Sequence, residues 1–246
     1  MVTRLRTVFQ NWQHGLATLL PNSCALCGET NPNIVCTACA AHFLPTPMPR
    51  CPRCALPLAR GSNECGACLQ MQPAFDATFV AAHYAAPLDQ LVLALKFGGQ
   101  LGLASWMAAC LVDALLQNQG AQLPDLLCPI PLGTQRLAER GYNQALEIAR
   151  PLSHQLGIPL DARLAQRQRE TDAQSSLALN QRASNIRLAF TLAPHAIGKI
   201  QGRHIGVVDD VMTTGHTLDE MARTLKHLGA ARVSNFVFAR TLPEAH

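Results

Sequence analysis

From residue 73 onward the chain alternates between short apolar runs and longer stretches in which apolar residues recur every three or four positions. The first pattern suits a buried strand and the second an amphipathic helix. The spacing predicts strands over 75–85, 126–130, 203–209 and 232–239, and helices over 88–97, 101–117, 142–156 and 217–228. Glycines stand where helices should stop, at Gly98, Gly99, Gly157 and Gly229. Strands alternating with helices argue for an α/β fold, a mostly parallel sheet covered on both faces. Ligands of such folds sit at the carboxyl ends of the strands. Upstream, Leu5, Val8, Phe9, Trp12, Leu16 and Leu19 recur at helical spacing and predict an amphipathic helix over 1–22, packed on the protein.

Between those parts the pattern is set by cysteine. Eight of the ten cysteines fall in four C-x-x-C units: Cys24 and Cys27, Cys36 and Cys39, Cys51 and Cys54, Cys65 and Cys68. Each unit turns two thiolates toward one tetrahedral ion, and two units close a four-cysteine shell, so the eight suffice for two structural zinc ions. Disulfides would not persist in a reducing cytosol. Sequential pairing, first four and last four, closes the shorter loops, with an interleaved cross-brace as the alternative. His42, three residues beyond Cys39, is a spare donor, whereas Cys110 and Cys128 sit in apolar contexts that suit core residues. A module this small depends on metal for its stability. The expected organisation is an N-terminal helix over 1–22, a double zinc ribbon over 23–72 and an α/β domain over 73–246.

Composition sharpens this picture in two respects. With 48% hydrophobic and 15% charged residues, the 246-residue chain can bury enough apolar surface to fold, which excludes extended disorder. A net charge of +4 falls well short of a protein that coats nucleic acid, yet 17 of the 20 basic residues are arginine, whose planar fork suits phosphate. Polar residues interrupt the apolar stretch after Arg4 and Arg6, and no apolar run reaches the roughly 18 residues of a spanning helix. The expectation is a cytoplasmic protein without membrane insertion.

The chemistry concentrates in VVDDVMTTGHTLDEMA, beginning at Val207. A buried strand should end by presenting Asp209 and Asp210. Thr217, with Glu220 three residues on, fits a capping box that starts a helix. Thr213, Thr214, Gly215, His216 and Thr217 then lead into a helix N-terminus, where unpaired N–H groups, hydroxyls and the helix dipole suit a phosphate dianion. Gly215 permits a close backbone approach. Beside that phosphate the carboxylates can accept hydrogen bonds from hydroxyls or hold hydrated Mg²⁺. A phosphate next to a diol describes a ribose 5-phosphate.

The string VVDDVMTTGHT resembles the 5-phosphoribosyl-1-pyrophosphate (PRPP) motif of type I phosphoribosyltransferases. IPLGTQRLAERGYNQA from Ile130, RQRETDAQSSLALNQRASNIRLAF from Arg167 and the cysteine-rich front end are together similar to the competence protein ComF/GntX family. The resemblance implies a type I phosphoribosyltransferase fold behind a zinc ribbon. It also implies that Asp209 and Asp210 act as the catalytic pair on the ribose hydroxyls, and that the motif residues Val211 to Thr217, including Met212, form the phosphate loop. Thr213, Thr214, Gly215 and Thr217 would touch the 5-phosphate. His216 departs from the small residue usual there; it points either to solvent or to the phosphate.

Residues 136–187 hold eight arginines against five acids. Arg136, Arg140, Arg167, Arg169 and Arg182, with Asn143, Gln144, Thr171, Gln174 and Asn185, either line a cleft for pyrophosphate or nucleic-acid phosphate or form a solvated face. Lys96 before Phe97-Gly98-Gly99 is either a pyrophosphate loop or a basic helix end with a glycine cap. Two functions follow. One is Mg²⁺-dependent phosphoribosyl transfer from PRPP to a base, in which the aspartates oppose charge developing on the sugar. The other is a non-catalytic adaptor that holds a nucleotide or single-stranded DNA and docks DNA-uptake or recombination proteins through the ribbon.

Overall fold

A computed structural model of the chain describes residues 22–44, 48–58, 62–118, 120–167 and 189–242. The chain forms two compact units, Met1–Leu44 and Pro45–His246. The helix expected over 1–22 lies outside the described residues, save for Asn22.

In the first unit a hairpin turn carries Cys24 and Cys27, bridged where Ser23 pairs with Thr30. Helix α1 (Thr37–Phe43) follows, with Cys36 as its N-cap. The second unit repeats this plan. Arg50 pairs with Pro57 around Cys51 and Cys54, and α2 (Gly66–Met71) starts after Cys65. Neither ribbon helix was legible as periodicity, because each is two turns or less and is placed by its cysteines.

The remainder of the second unit is built on four parallel strands, β1 (Ala77–His83), β2 (Leu126–Pro129), β5 (His204–Met212) and β6 (Arg232–Arg240). Their order across the sheet is β1, β6, β5, β2. Ile205, Gly206, Val207 and Val208 are all buried, as are Val233 through Arg240. Uninterrupted burial is what a central parallel strand requires, since helices cover both of its faces. On one face Ile205, Val207, Val233 and Val237 join Leu218, Met221, Ala222 and Leu225 of α8 (His216–His227) in one cluster. On the other, Phe236 stacks near Phe79 and Phe238 near Trp106, with centroids 5.2 and 5.7 Å apart. Trp106 belongs to α4 (Gly102–Leu116), which packs on α6 (Gln144–Leu156). Helix α3 (Leu88–Phe97) precedes α4 and ends at Gly98.

Each of the main predicted strands and helices is present within a few residues. The pattern did not expose α5 (Thr134–Arg140), which buries no residue, or the short α7 (Ile197–Ile200). Nor did it show the two-stranded antiparallel sheet of β3 (Ala165–Arg167) and β4 (Phe190–Leu192), whose strands are too short to show a period.

Gly206 marks a tight place in the sheet. A Cβ there would sit 2.5 Å from Leu127 Cδ2, 2.8 Å from Pro124 Cγ and 3.0 Å from Phe236 Cε2. Gly206→Ala is therefore expected to cost about 1–3 kcal/mol, a fall in thermal midpoint of roughly 2–4 °C per kcal/mol. Gly198→Ala, where a Cβ would meet nothing within 4 Å, should lose none. Equal midpoints for both variants would refute this account of the sheet.

Candidate functional site

Strand β5 continues through both aspartates to Met212, three residues further than its apolar run suggests. Alternate residues of a strand face opposite ways, so two adjacent acids divide between the sheet's faces. Asp210, 8% exposed, receives an ion pair from Lys96 Nζ at 3.1 Å. Lys96 lies in the last turn of α3, so it ends a helix before a glycine and its ammonium group reaches the acid of β5. Asp209 turns the other way and accepts a hydrogen bond on Oδ1 from the Asp210 N–H at 2.9 Å. Burial first, and then the charge of Asp210, push the Asp209 carboxyl well above the usual carboxylate range; the hydrogen bond from the Asp210 amide, then Lys96 and Arg167, only partly offset this.

Beyond Val211 and Met212 the chain turns through Thr213 and Thr214, both exposed, and Gly215. Gly215 has φ +87, a left-handed conformation that disfavours any side chain. A Cβ there would also lie 2.6 Å from Met212 Cε. Gly215 is the N-cap of α8, whose first residue is His216, so the capping box expected of Thr217 and Glu220 does not form. A cap without a side chain leaves the first amides of α8 to other acceptors. Residues 211–217 line a cup of about 40 Å³ that includes Asp209. His216 is exposed on its rim.

Asp209 and Thr217 also line a second, polar cavity of about 150 Å³. Lys96, Asp210, Arg136, Arg140 and Arg167 surround it, together with Asn143 and Gln144. Three of the five arginines singled out in the sequence thus converge on the acids. Arg169 and Arg182, like Thr171, Gln174 and Asn185, lie outside the described residues. Arg140 Nη1 donates to Gln144 Oε1 at 3.0 Å and its guanidinium lies 5.0 Å from the ring centroid of Phe97. Arg167 is placed 5.7 Å from the ring of Phe190. Asn143 caps α6, accepting from the N–H groups of Ala145 and Leu146. Sequence reasoning missed Arg240, which lies behind the loop. Its signal was an arginine closing the buried run FVFAR, where a charge has no place without several partners.

The eight ribbon cysteines form two groups, Cys24, Cys27, Cys36 and Cys39, and Cys51, Cys54, Cys65 and Cys68, with the sulfurs of each within 4.8 Å of one another. Zn–S bonds of about 2.3 Å place tetrahedral sulfurs about 3.8 Å apart. Cys27 and Cys36 are 3.9 Å apart and Cys54 and Cys65 3.4 Å. Both groups fit structural zinc, and the pairing is sequential. N–H groups of Cys36 and Cys39 donate to the sulfurs of Cys24 and Cys36, each at 3.3 Å, as support for charged thiolates. His42 is outside the cluster, and Cys110 and Cys128 are buried in the α/β body. Among the described residues no helix is long and apolar enough to cross a membrane.

A parallel sheet whose central strand ends in two acids and a glycine-started helix, joined to paired four-cysteine sites, defines a phosphoribosyltransferase-like α/β protein with a double zinc ribbon. Comparison with known proteins agrees. A phosphoribosyl transferase domain model matches residues 143–242 and a double zinc ribbon domain model residues 15–69. The chain belongs to the ComF/GntX family of competence protein F-like proteins. It is 36% identical to DNA utilization protein YhgH of Salmonella typhimurium over 85% of this chain and 91% of that one. It is 32% identical to Competence protein F of Haemophilus influenzae, again over 85% and 91%. Among solved structures, a purine phosphoribosyltransferase of Pyrococcus horikoshii aligns with TM-score 0.34 and 19% identity, over 55% of this chain and 83% of that one.

Two outcomes follow. Elemental analysis of protein purified without chelator should find close to two zinc ions per chain; a folded, zinc-free protein would refute the metal assignment. An acid whose folded pKa exceeds its unfolded value of about 3.9 binds more protons when folded, so it destabilises the fold progressively as pH rises between the two values. Asp209→Asn should accordingly raise the thermal midpoint at pH 8 by about 2–4 °C, with the gain shrinking as pH falls toward 5. A variant that melts lower than wild type at pH 8 would contradict the direction of the shift.

Proposed function

We propose that the cleft at the end of β5 binds PRPP with Mg²⁺ and transfers its phosphoribosyl group to a nitrogen nucleophile. The observation that carries this reading is the junction of the two cavities. The loop cup and the arginine-lined cleft share Asp209 and Thr217, so a ligand with a phosphate at each end and hydroxyls between them fits across both. In this reading Thr213, Thr214, Gly215 and Thr217 hold the 5-phosphate with the amides that open α8, and Val211, Met212 and His216 complete the wall of the cup. Asp209 and Asp210 accept the ribose hydroxyls. Arg136, Arg140 and Arg167, with Lys96 once it leaves Asp210, receive the pyrophosphate.

Magnesium fits the site through the ligand, because Mg²⁺ favours substrate phosphates and water over an all-protein cage. When bound it would offset the charge of the departing pyrophosphate. The protein's own contribution is positioning. Anchoring the far phosphate fixes the anomeric carbon, and the carboxylates oppose the positive charge that develops on the sugar as the bond to pyrophosphate breaks. No side chain in the cleft is assigned as general base.

The names of the relatives, DNA utilization protein and Competence protein F, extend the reading to products of DNA uptake. A non-catalytic variant holds a nucleotide or a single-stranded DNA end in the same cleft. Phe97, 69% exposed beneath Arg140, offers that occupant one stacking face.

Calorimetric titration with PRPP and Mg²⁺ should show binding by wild type. Replacing both acids, Asp209→Ala with Asp210→Ala, should weaken it at least about 100-fold, as expected for two lost charge-assisted contacts. Pyrophosphate release across a panel of nucleobases separates transferase from adaptor. Absence of PRPP binding, or equal affinity in the double variant, would overturn the PRPP reading.

A further inference from the structure

Arg240, 6% exposed, is the last residue of β6 and lies in register beside Met212 of β5. Its guanidinium works in two directions. Nε donates to the carbonyl oxygen of Cys54 at 3.2 Å. Nη1 donates to the carbonyl oxygen of Met212 at 3.0 Å and also to that of Thr213. Cys54 belongs to the second four-cysteine group, and Met212 and Thr213 open the loop. In a planar trans peptide the C=O and the following N–H point in opposite directions. Carbonyls of Met212 and Thr213 drawn back to Arg240 therefore turn the N–H groups of Thr213 and Thr214 away from it.

The seam around this arginine is continuous. Cys51, Cys54, Ala55 and Cys68 share one buried cluster with Phe75, Met212 and Leu218. The Ala74 N–H donates to Asp219 Oδ1 at 2.6 Å, fastening the segment after α2 to the first turn of α8. On the other side the Thr78 N–H of β1 donates to the carbonyl oxygen of Pro52, between Cys51 and Cys54. The first group, Cys24, Cys27, Cys36 and Cys39, belongs to the other compact unit. We propose that Arg240 is a positioning residue that ties the second metal site to the phosphate loop. Zinc at Cys51, Cys54, Cys65 and Cys68 then sets the loop's affinity for a sugar 5-phosphate, and zinc at the first site does not. This rests on the reading of residues 213–217 as the phosphate loop.

The test compares full-length wild type with Arg240→Lys, Arg240→Met, Cys65→Ser and Cys27→Ser. It reads zinc content, ribose 5-phosphate affinity by calorimetry and amide exchange over 213–217. Both Arg240 variants should keep two zinc ions yet bind ribose 5-phosphate about tenfold more weakly, the scale typical of lost supporting contacts around a site. Cys65→Ser should lose one zinc and weaken binding similarly, and Cys27→Ser should lose one zinc with affinity unchanged. Combining Arg240→Met with Cys65→Ser should add little to either, since both cut the same link. Amide exchange reads the loop without any ligand. Faster exchange in the Arg240 and Cys65 variants but not in Cys27→Ser supports the tie from the second metal site through Arg240 to the loop even if wild type binds no ribose 5-phosphate, a result that would overturn the phosphate reading and the affinity claim that rests on it. Unchanged exchange in the Arg240 variants, or equal effects of Cys65→Ser and Cys27→Ser, overturns the proposal. Arg240→Lys and Arg240→Met decide it should Cys65→Ser fail to fold.

Discussion

The site depends on what happens where β5 leaves the core. Four consecutive buried residues hold the strand between two helical layers, and the same backbone then carries two carboxylates without a break. A strand cannot turn adjacent side chains the same way, so Asp210 meets Lys96 on one face while Asp209 faces the loop. Asp210 gains a close cation in Lys96. Asp209 stays desolvated beside a like charge, an arrangement that costs stability and persists because the surrounding sheet leaves the strand no other course. A ligand bearing hydroxyls and a cation would relieve it. On the proposed reading the site is set up for such a ligand before it arrives, which is what preorganisation means in energetic terms.

That arrangement explains which features the sequence revealed. The apolar pattern found β1, β2, β5, β6 and the four longer helices because each strand holds a continuous buried run and each helix repeats its burial over about three turns or more. It missed α5, whose side chains face water, and β3 with β4, at three residues each. The aspartates, the loop and the eight cysteines were legible because their chemistry is local and ordered along the chain. The convergence of Lys96, Arg136, Arg140 and Arg167 on those aspartates was not, since it depends on how α3, α5 and β3 are placed around the end of β5. The capping box failed for a physical reason: Thr217 with Glu220 matches a cap by sequence, but Gly215 in a left-handed turn takes the position first.

The two ribbons show how one local sequence plan can serve two settings. Both turn tightly after their first C-x-x-C pair, and both place a residue with positive φ directly after the second cysteine of that pair. In the first ribbon it is Gly28, exposed, with nothing near the position of a Cβ. In the second it is Ala55, 1% exposed, with φ 59. A non-glycine residue in that conformation costs roughly 1–2 kcal/mol. Burial of a methyl group returns about 0.8 kcal/mol, so alanine is tolerable only where its methyl is packed.

Ala55 is packed, and among the residues of the body rather than of the ribbon alone: its cluster runs through Phe75 and Met212 to Leu218. The second cysteine group therefore lies within the core that supports the loop. Metal bound there would supply much of the folding free energy of so small a module, and in the second ribbon it would fix the carbonyl of Cys54 on which Arg240 rests. Arg240 needs that acceptor, because a guanidinium this deeply buried must have its donors satisfied on every side. With the ribbon in place Nε rests on Cys54 while Nη1 holds Met212 and Thr213; without it Nε would lose that acceptor and the hold on the start of the loop would loosen.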